Sequence, residues 1–138
     1  MKKIIITGGA GFIGSHLIDK LINTEVQEIL VIDDLSTGKS DNLAKFKDSN
    51  KVKFINKKVE DIQNLGEVFD GYDFCYHLAA GVGVQYIMEN LSKSLLTNIL
   101  ATHEVFEACK KQGIPVLVTS TSEVYLSLIH ISEPTRPY

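Results

Sequence analysis

Cysteine is scarce in this 138-residue sequence, and its two copies lie far apart. Cys75 and Cys109 lack the spacing of a zinc knuckle or a Cys-x-x-Cys redox pair, and each lies among apolar residues, which predicts reduced core thiols. A basic excess is also absent, since the net charge is −3, so nothing indicates a nucleic-acid partner. No apolar run approaches the roughly 20 residues of a membrane span, and the three isoleucines after Met1-Lys2-Lys3 are too few for a signal peptide. These absences predict a cytoplasmic protein with no membrane or nucleic-acid partner.

Arginine is absent until residue 136, and the composition changes abruptly after Tyr125. Residues 126–138 contain the single arginine and two of the three prolines. This segment resembles the conceptual translation of a transposase sequencing adapter. We therefore interpret residues 1–125 as an incomplete native domain and residues 126–138 as a non-native, adapter-like tail. The alternative is a genuine C-terminal loop.

A glycine-rich turn follows the first apolar run of the chain. Gly8, Gly11 and Gly14 lie between Ile4-Ile5-Ile6 and a segment with helical spacing. Gly8 allows a sharp turn out of a strand, Gly11 allows a phosphate to approach the backbone, and Gly14 allows the helix to pack tightly on its strand. Such a strand, turn and helix start bind the pyrophosphate of a dinucleotide on free helix N–H groups. The alternative is an ordinary turn.

Apolar patterns predict strands that alternate with helices along the chain. Helical spacing marks residues 11–23, 61–69 and 92–112, and Gly113 is the expected cap of the last of these helices. A polar loop is expected over residues 34–42. Strands are expected at residues 4–6, 28–33, 51–55, 72–79 and 115–119, the third near a sheet edge because its apolar residues alternate with lysine. This alternation is typical of an α/β domain with right-handed crossovers and a parallel sheet.

Acidic residues follow the second strand at the position where a ribose would lie. Asp33 comes 19 residues after Gly14, near the spacing of about 20 at which a carboxylate accepts hydrogen bonds from the adenosine ribose. The same charge repels a 2′-phosphate, so NAD is favoured over NADP. Asp34 is an alternative acceptor or a second ribose contact. Asp61 and Ile62 could flank the adenine, although Asp61 could instead cap a helix.

Five motifs occur together in the order seen in extended short-chain dehydrogenases/reductases. They are Thr7–Gly14, Asp33–Gly38, Asp61-Ile62, His77–Ala80 and Thr119–Tyr125. Through residue 125 the chain resembles the nucleotide-sugar epimerase/dehydratase family. The resemblance implies a Rossmann-type doubly wound parallel sheet with five strands in the order 3-2-1-4-5.

The resemblance also implies which residues line an NAD site. Small residues after the fourth strand would leave room beneath the cofactor, while His77 is expected to be a packed strand-end residue and not a base. Asn98 lies on the long helix at a polar position that the family uses near the cofactor, and a surface asparagine is the alternative. The implied cofactor-binding residues are Gly8, Gly11, Phe12 and Ile13 at the pyrophosphate, Asp33, Asp34, Ser36, Thr37 and Gly38 at the ribose or in its turn, Asp61 and Ile62 at the adenine, Leu78, Ala79 and Ala80 beneath the cofactor, Asn98, and Thr119.

Two further residues match catalytic positions of the family. Thr121 corresponds to a Ser/Thr that hydrogen-bonds a sugar hydroxyl during proton transfer, with strand-end capping as the alternative. Glu123 matches a position that is often acidic in decarboxylase-like and dehydratase-like members. Ser122 replaces the aspartate that 4,6-dehydratases use as general acid, which argues against that reaction. Tyr125 belongs to the strand-end motif, and the family's Tyr-x-x-x-Lys pair is absent from the sequence.

These matches imply a parent protein that is an NAD-dependent nucleotide-sugar epimerase or decarboxylase, with a UDP-sugar as the favoured substrate and a 4-keto sugar as the intermediate. A homodimer is expected for the parent. The 138-residue chain itself is expected to be inactive and prone to aggregate at the open edge of its fifth strand. The alternative is a non-catalytic dinucleotide-binding regulatory module.

Overall fold

Five parallel strands form one sheet within the part of the chain that the computed structural model describes, residues 2–80 and 91–119. The strand order is β3-β2-β1-β4-β5, as predicted from the sequence. The third strand lies at an edge, which was also expected. The strands are β1 (Lys3–Thr7), β2 (Glu28–Ile32), β3 (Val52–Ile55), β4 (Phe74–His77) and β5 (Val116–Val118).

Helical segments connect the strands, with two departures from the sequence prediction. The predicted loop at residues 34–42 is wrong at its end, where a short helix begins. The predicted helix at residues 61–69 is interrupted because Asn64 has a left-handed backbone, with φ of 55°. The helices are α1 (Phe12–Leu21), α2 (Asp41–Ala44), a 3₁₀ turn (Val59–Asp61), α3 (Leu65–Val68) and α4 (Leu91–Gln112).

Apolar residues on both faces of the sheet produce three layers. Successive side chains of a strand point to opposite faces, so Ile5 of β1 packs in a cluster with residues of α3 and α4. Its neighbours Ile4 and Ile6 pack in the opposite cluster with residues of α1 and α2. Cys75 and Cys109 are free thiols buried in the first cluster, as expected from their apolar surroundings.

The long helix α4 ends at Gly113, as predicted. Gly113 has a φ of 66°, and its N–H donates to the carbonyl of Lys110. The N–H of Ile114 donates to the carbonyl of Cys109. This pair of bonds is the Schellman arrangement that satisfies the last carbonyls of a helix. Among the described helices, α4 included, none is long and apolar enough to cross a membrane.

Charged and polar side chains lie at the amino ends of the strands. Lys53 forms an ion pair of 2.8 Å with Glu28, which also accepts a hydrogen bond from the Tyr72 hydroxyl. These two contacts, that with Lys53 first, lower the pKa of Glu28. The Asp73 carboxylate accepts the backbone N–H groups of residues 2 and 3, at 2.6 and 2.9 Å, and these bonds lower its pKa. At this end of the sheet, the strands are therefore held together by polar contacts that reach the surface.

Candidate functional site

The predicted site residues gather at the opposite end of the sheet, where the parallel strands have their carboxyl ends. From β1 the chain proceeds outward to β2 and β3, and then returns to the other side of β1 to form β4 and β5. The crevice between β1 and β4 is therefore the topological switch point of the sheet. Open α/β sheets bind their ligands at such a point.

The glycine turn lies directly over the segment that follows β4. Gly8 has a φ of 73°, and a Cβ added to it would lie 2.6 Å from the backbone nitrogen of Ala79. A Cβ on Gly14 would lie 2.4 Å from the carbonyl oxygen of Gly8. Gly14 therefore allows the helix to approach the turn itself, whereas the sequence analysis expected close packing on the strand. Both positions exclude a side chain for steric reasons.

The start of α1 is open to an anion. Its N-cap is Gly11, which supplies no side-chain hydrogen bond, and its first turn contains no acidic residue. The first N–H groups of a helix have no partner within the helix. Phe12 and Ile13 of this first turn are 77% and 63% exposed although both are apolar. The unpartnered backbone donors of this turn fit an anion such as the pyrophosphate of a dinucleotide.

Asp33 connects the end of β2 to the glycine turn. Its side chain is buried, with one carboxylate oxygen accepting the N–H of Ala10 at 2.9 Å and the other accepting the N–H of Leu35 at 2.8 Å. Each carboxylate oxygen has a second lone-pair direction, so the group keeps the capacity to accept ribose hydroxyls. The carboxylate thus lies beside the turn, as a ribose-binding acid requires.

The carbonyl of Ala10 accepts hydrogen bonds from two residues that the sequence analysis missed. The donors are the backbone N–H of Lys39 at 3.1 Å and the side-chain amide of Asn42 at 2.7 Å. A Cβ on Gly38 would lie 2.9 Å from the Cβ of Ala10 and 3.0 Å from an oxygen of Asp33. Gly38 therefore lets the loop after β2 close onto the turn. No periodic pattern marks Asn42, which lies in a polar stretch.

The remaining predicted residues of this loop face outward. Asp34 accepts both the backbone N–H and the hydroxyl of Ser36, at 3.0 and 2.7 Å, which makes a local Asx turn. Thr37 is exposed. Leu35, which lies between Asp34 and Ser36, has a φ of 61°, a left-handed conformation that is uncommon for residues other than glycine. The structure therefore brings Asp33 and Gly38 to the glycine turn, while Asp34 and Ser36 bond to each other.

A buried polar network joins the turn to the segment predicted to lie beneath the cofactor. The Thr7 hydroxyl is hydrogen-bonded to Nδ1 of His77 at 2.7 Å and accepts the N–H of Ala79 at 3.3 Å. Nε2 of His77 is hydrogen-bonded to the hydroxyl of Thr102 on α4 at 3.0 Å. Leu78 donates its N–H to the Thr7 carbonyl. His77 is 2% exposed, and burial lowers its pKa, so the ring is neutral at pH 7.

The predicted adenine residues lie after β3. Asp61 is exposed and ends the 3₁₀ turn, while α3 begins after Asn64, so the interpretation of Asp61 as a helix N-cap is wrong. Ile62 is partly buried against the cluster beneath α4. Among the described residues, Asp61 and Ile62 form no hydrogen bond with the glycine turn.

Other predicted residues lie further along the chain. Ala80 is exposed beside Ala79, Asn98 is partly buried on α4, and Thr119 is exposed just after β5. Thr121, Glu123 and residues 126–138, the segment interpreted from the sequence as an adapter-like tail, lie outside the described residues. No cluster of three or more His, Cys, Asp or Glu side chains that could bind a metal occurs in residues 2–80 and 91–119.

The sequence matches a known family over nearly all of its length. The sequence model described as GDP-mannose 4,6 dehydratase matches residues 5–136. UDP-glucuronic acid decarboxylase 6 of Arabidopsis thaliana is 39% identical over 123 residues, which are 89% of this chain and 34% of the relative. The chain thus spans about a third of the length of this curated relative.

Solved structures of similar sequence share the fold. The UDP-N-acetylglucosamine 4-epimerase of Methanobrevibacter ruminantium, solved with UDP-N-acetylmuramic acid, superposes with a TM-score of 0.80 and 34% identity over 90% of this chain and 39% of its own. The dTDP-glucose 4,6-dehydratase of Streptomyces venezuelae, solved with NAD bound, gives a TM-score of 0.75 and 28% identity over 81% of this chain and 37% of its own. With its switch-point glycine turn, this chain belongs to the nucleotide-sugar epimerase/dehydratase family of extended short-chain dehydrogenases/reductases.

Proposed function

We propose that this chain is the NAD-binding part of a nucleotide-sugar epimerase or decarboxylase. The observation that carries the proposal is the buried Asp33 carboxylate, which lies at the end of β2 and bonds the N–H of Ala10 within the glycine turn. The turn and the first N–H groups of α1 would bind the pyrophosphate, and Asp33 would bind the adenosine ribose. NAD, when bound, accepts a hydride.

Binding of NAD in preference to NADP follows from the charge at the ribose position. Asp33 is buried next to the turn, where a 2′-phosphate would bring further negative charge close to its carboxylate. Two like charges at short range repel strongly where solvent is excluded. We therefore expect the chain to bind NAD and ADP-ribose with similar affinity and NADP at least about tenfold more weakly, equivalent to about 1.4 kcal/mol.

The remaining predicted residues would complete the cofactor site. Leu78, Ala79 and Ala80 would lie beneath the cofactor, Asp61 and Ile62 beside the adenine, and Asn98 and Thr119 nearby. Gly8 supports this assignment because its close contact with Ala79 places the glycine turn against that segment. The small side chains of Ala79 and Ala80 would leave space for the cofactor above the crevice.

The parent protein would convert a UDP-sugar through a 4-keto intermediate. Thr121 would hydrogen-bond a sugar hydroxyl, and Glu123 would contribute a carboxylate near the sugar. Support comes from relatives and structural neighbours that include a UDP-glucuronic acid decarboxylase and a UDP-sugar 4-epimerase. The base that accepts the 4-hydroxyl proton would be the tyrosine of a Tyr-x-x-x-Lys pair, which this sequence lacks. We therefore expect no turnover by the 138-residue chain.

Calorimetric titration of the 138-residue chain tests the cofactor proposal. NAD and ADP-ribose should bind, with NADP weaker, and Asp33→Asn should lose NAD affinity and reduce the discrimination against NADP. Asp34→Asn is the matched control because its carboxylate is only partly buried and bonds Ser36, so it should change NAD affinity by less than threefold. Folded protein that binds none of the three ligands would contradict the proposal.

Assay of the protein encoded by an uninterrupted copy of the gene tests the proposed reaction. Purified protein incubated with NAD and UDP-sugars should yield a new nucleotide sugar by chromatography, and it should sediment as a homodimer. The 138-residue chain in the same assay should yield none. NAD binding by the longer protein without conversion of any nucleotide sugar would favour the regulatory-module alternative.

A further inference from the structure

His77 is the buried polar side chain at which three parts of the candidate site meet. Its Nδ1 is bonded to the hydroxyl of Thr7, the residue before the glycine turn. Its Nε2 is bonded to the hydroxyl of Thr102 on α4. The backbone after it continues into Leu78 and Ala79, which lie against Gly8. At 2% exposure, the ring is shielded from substrate and solvent and is poorly placed to act as a base.

The hydrogen bonds of Thr7 favour one of the two neutral tautomers of the His77 ring. Its hydroxyl oxygen accepts the N–H of Ala79, and the hydroxyl has a single proton to donate. With Nδ1 of His77 as acceptor, that proton has a partner and Nε2–H donates to Thr102. With Nδ1 protonated instead, the Thr7 oxygen would accept twice and its own proton would have no acceptor among the described contacts. The Nε2–H form is therefore the one that gives both the oxygen and the proton of the Thr7 hydroxyl a partner.

Thr102 extends the network to the turn of α4 that carries Asn98. Residues four apart lie on the same side of a helix, so Thr102 is one turn beyond Asn98 on that side. A threonine within a helix can donate its hydroxyl proton to the carbonyl four residues earlier, which leaves its oxygen free to accept from Nε2–H of His77. The bond between His77 and Thr102 thus fixes this turn of α4 relative to β4 and, through Thr7, relative to β1.

We infer that His77 is a positioning residue for the dinucleotide site, in which its Nε2–H tautomer joins the glycine turn, the segment beneath the cofactor and the Asn98 turn of α4 into one rigid unit. The inference rests on the proposed function, since the unit is defined by the residues that would bind NAD. A residue with only a packing role would need neither a particular tautomer nor a hydroxyl at position 102.

Two substitutions at Thr102 separate positioning from packing. Thr102→Val preserves shape and removes the hydroxyl, whereas Thr102→Ser removes a methyl group and preserves the hydroxyl. We expect Thr102→Val to weaken NAD binding about three- to tenfold, in proportion to one lost hydrogen bond, and Thr102→Ser to remain within about twofold of the wild type. The control is Thr24→Val, at the opposite end of the sheet. It measures the general effect of replacing threonine by valine and should leave NAD affinity unchanged.

Nitrogen-15 NMR of the imidazole rings supplies a readout independent of NAD. In the wild-type chain at pH 7.5, His77 should be neutral with the proton on Nε2, and Thr102→Val should change its tautomer populations. A Thr7→Val/Thr102→Val double-mutant cycle for NAD affinity should show coupling of at least about twofold, because both hydroxyls act through one ring. If the Thr7→Val variant does not fold, the His77 tautomer in the wild-type chain and the NAD affinities of the two Thr102 variants still test the positioning role.

The outcomes distinguish the inference from the proposed function. A folded wild-type chain that binds neither NAD nor ADP-ribose contradicts the proposed function. A wild-type chain that binds NAD but carries the His77 proton on Nδ1, or that binds equally well with valine and serine at position 102, overturns the positioning role alone.

Discussion

Polar contacts hold neighbouring strands and loops together at each end of the sheet, but the contacts at the two ends are of different kinds. At the amino end, the contacts are made by charged side chains, of which Lys53 and Asp73 are exposed and Glu28 is partly buried. At the carboxyl end, Asp33 and His77 are buried, and most of their partners are backbone groups or neutral hydroxyls. Exposed ion pairs contribute little to stability, whereas a buried polar group that loses its partner is costly. The carboxyl end should therefore tolerate substitution far less well.

The largest effect is expected at Gly8. Gly8→Ala places a Cβ 2.6 Å from the backbone of Ala79 in a left-handed conformation, which should lower the free energy of unfolding by about 3 kcal/mol and abolish NAD binding. Gly71→Ala is the matched control, since Gly71 has a φ of 75° with no atom within 4 Å of the added Cβ, and it should cost about 1 kcal/mol. Urea unfolding measures both, and equal losses would show that contact with the segment after β4 is unimportant.

Asp33→Asn should have the next largest effect. The amide cannot accept both N–H groups, and bonds to an ionised acceptor contribute about 1.5–3 kcal/mol, so we expect a loss of about 2 kcal/mol in the free energy of unfolding. Asp34→Asn should change it by less than about 0.5 kcal/mol, because both bonds from Ser36 go to one oxygen, which the amide also supplies. Denaturant titrations of both variants give the comparison, and similar losses would mean that burial of Asp33 is not what matters.

The pH dependence of stability tests His77. Burial lowers its folded pKa below the unfolded value of about 6.5, so the unfolded chain takes up the proton first. His77 therefore contributes nothing to the pH dependence above about pH 7.5, and stability falls as the pH drops through 6.5 toward the folded pKa, by at most about 1.4 kcal/mol per pH unit. His77→Asn should be less stable overall but flatter between pH 7 and 5.5. Parallel curves would contradict a neutral buried ring.

The smallest effect is expected at the amino end. Lys53→Met removes the ion pair with Glu28 but keeps the aliphatic stem, and it should lower the free energy of unfolding by less than about 1 kcal/mol. The loss should shrink at 1 M salt because exposed charges are screened. It should also raise the pKa of Glu28, which NMR titration can follow. If Lys53→Met lowered the free energy of unfolding as much as Asp33→Asn, the two ends of the sheet would not differ in their tolerance of substitution.

Most of the fold could be predicted from the sequence because its signals are local. The apolar pattern at residues 28–33 indicated the strand β2, and the helical spacing before Gly113 indicated the end of α4. The glycine turn and Asp33 were recognisable by spacing as well. Asn64 shows the limit of such signals, since a single left-handed residue divided a segment that periodicity presented as one helix.

The contacts that shape the candidate site could not be predicted in the same way. Asn42 reaches a carbonyl 32 residues earlier in the chain, and His77 is bonded to threonines 70 residues before it and 25 residues after it. Each is an isolated polar residue whose partner is set by the packing of strands and helices. Sequence periodicity indicates which face is buried, but it carries no information about which distant hydroxyl or carbonyl a buried polar group will meet.

The pairing of Thr7 with His77 has a consequence for how the chain finds its fold. These two residues are directly opposite each other at the last position of the β1–β4 ladder. A shift of β4 by one residue would place Tyr76 or Leu78 opposite Thr7 and turn the imidazole toward the other face of the sheet. Both buried polar groups would then lose their partners, which raises the free energy of the shifted pairing. The same two side chains thus favour the native alignment of the two central strands during folding, before any ligand is present.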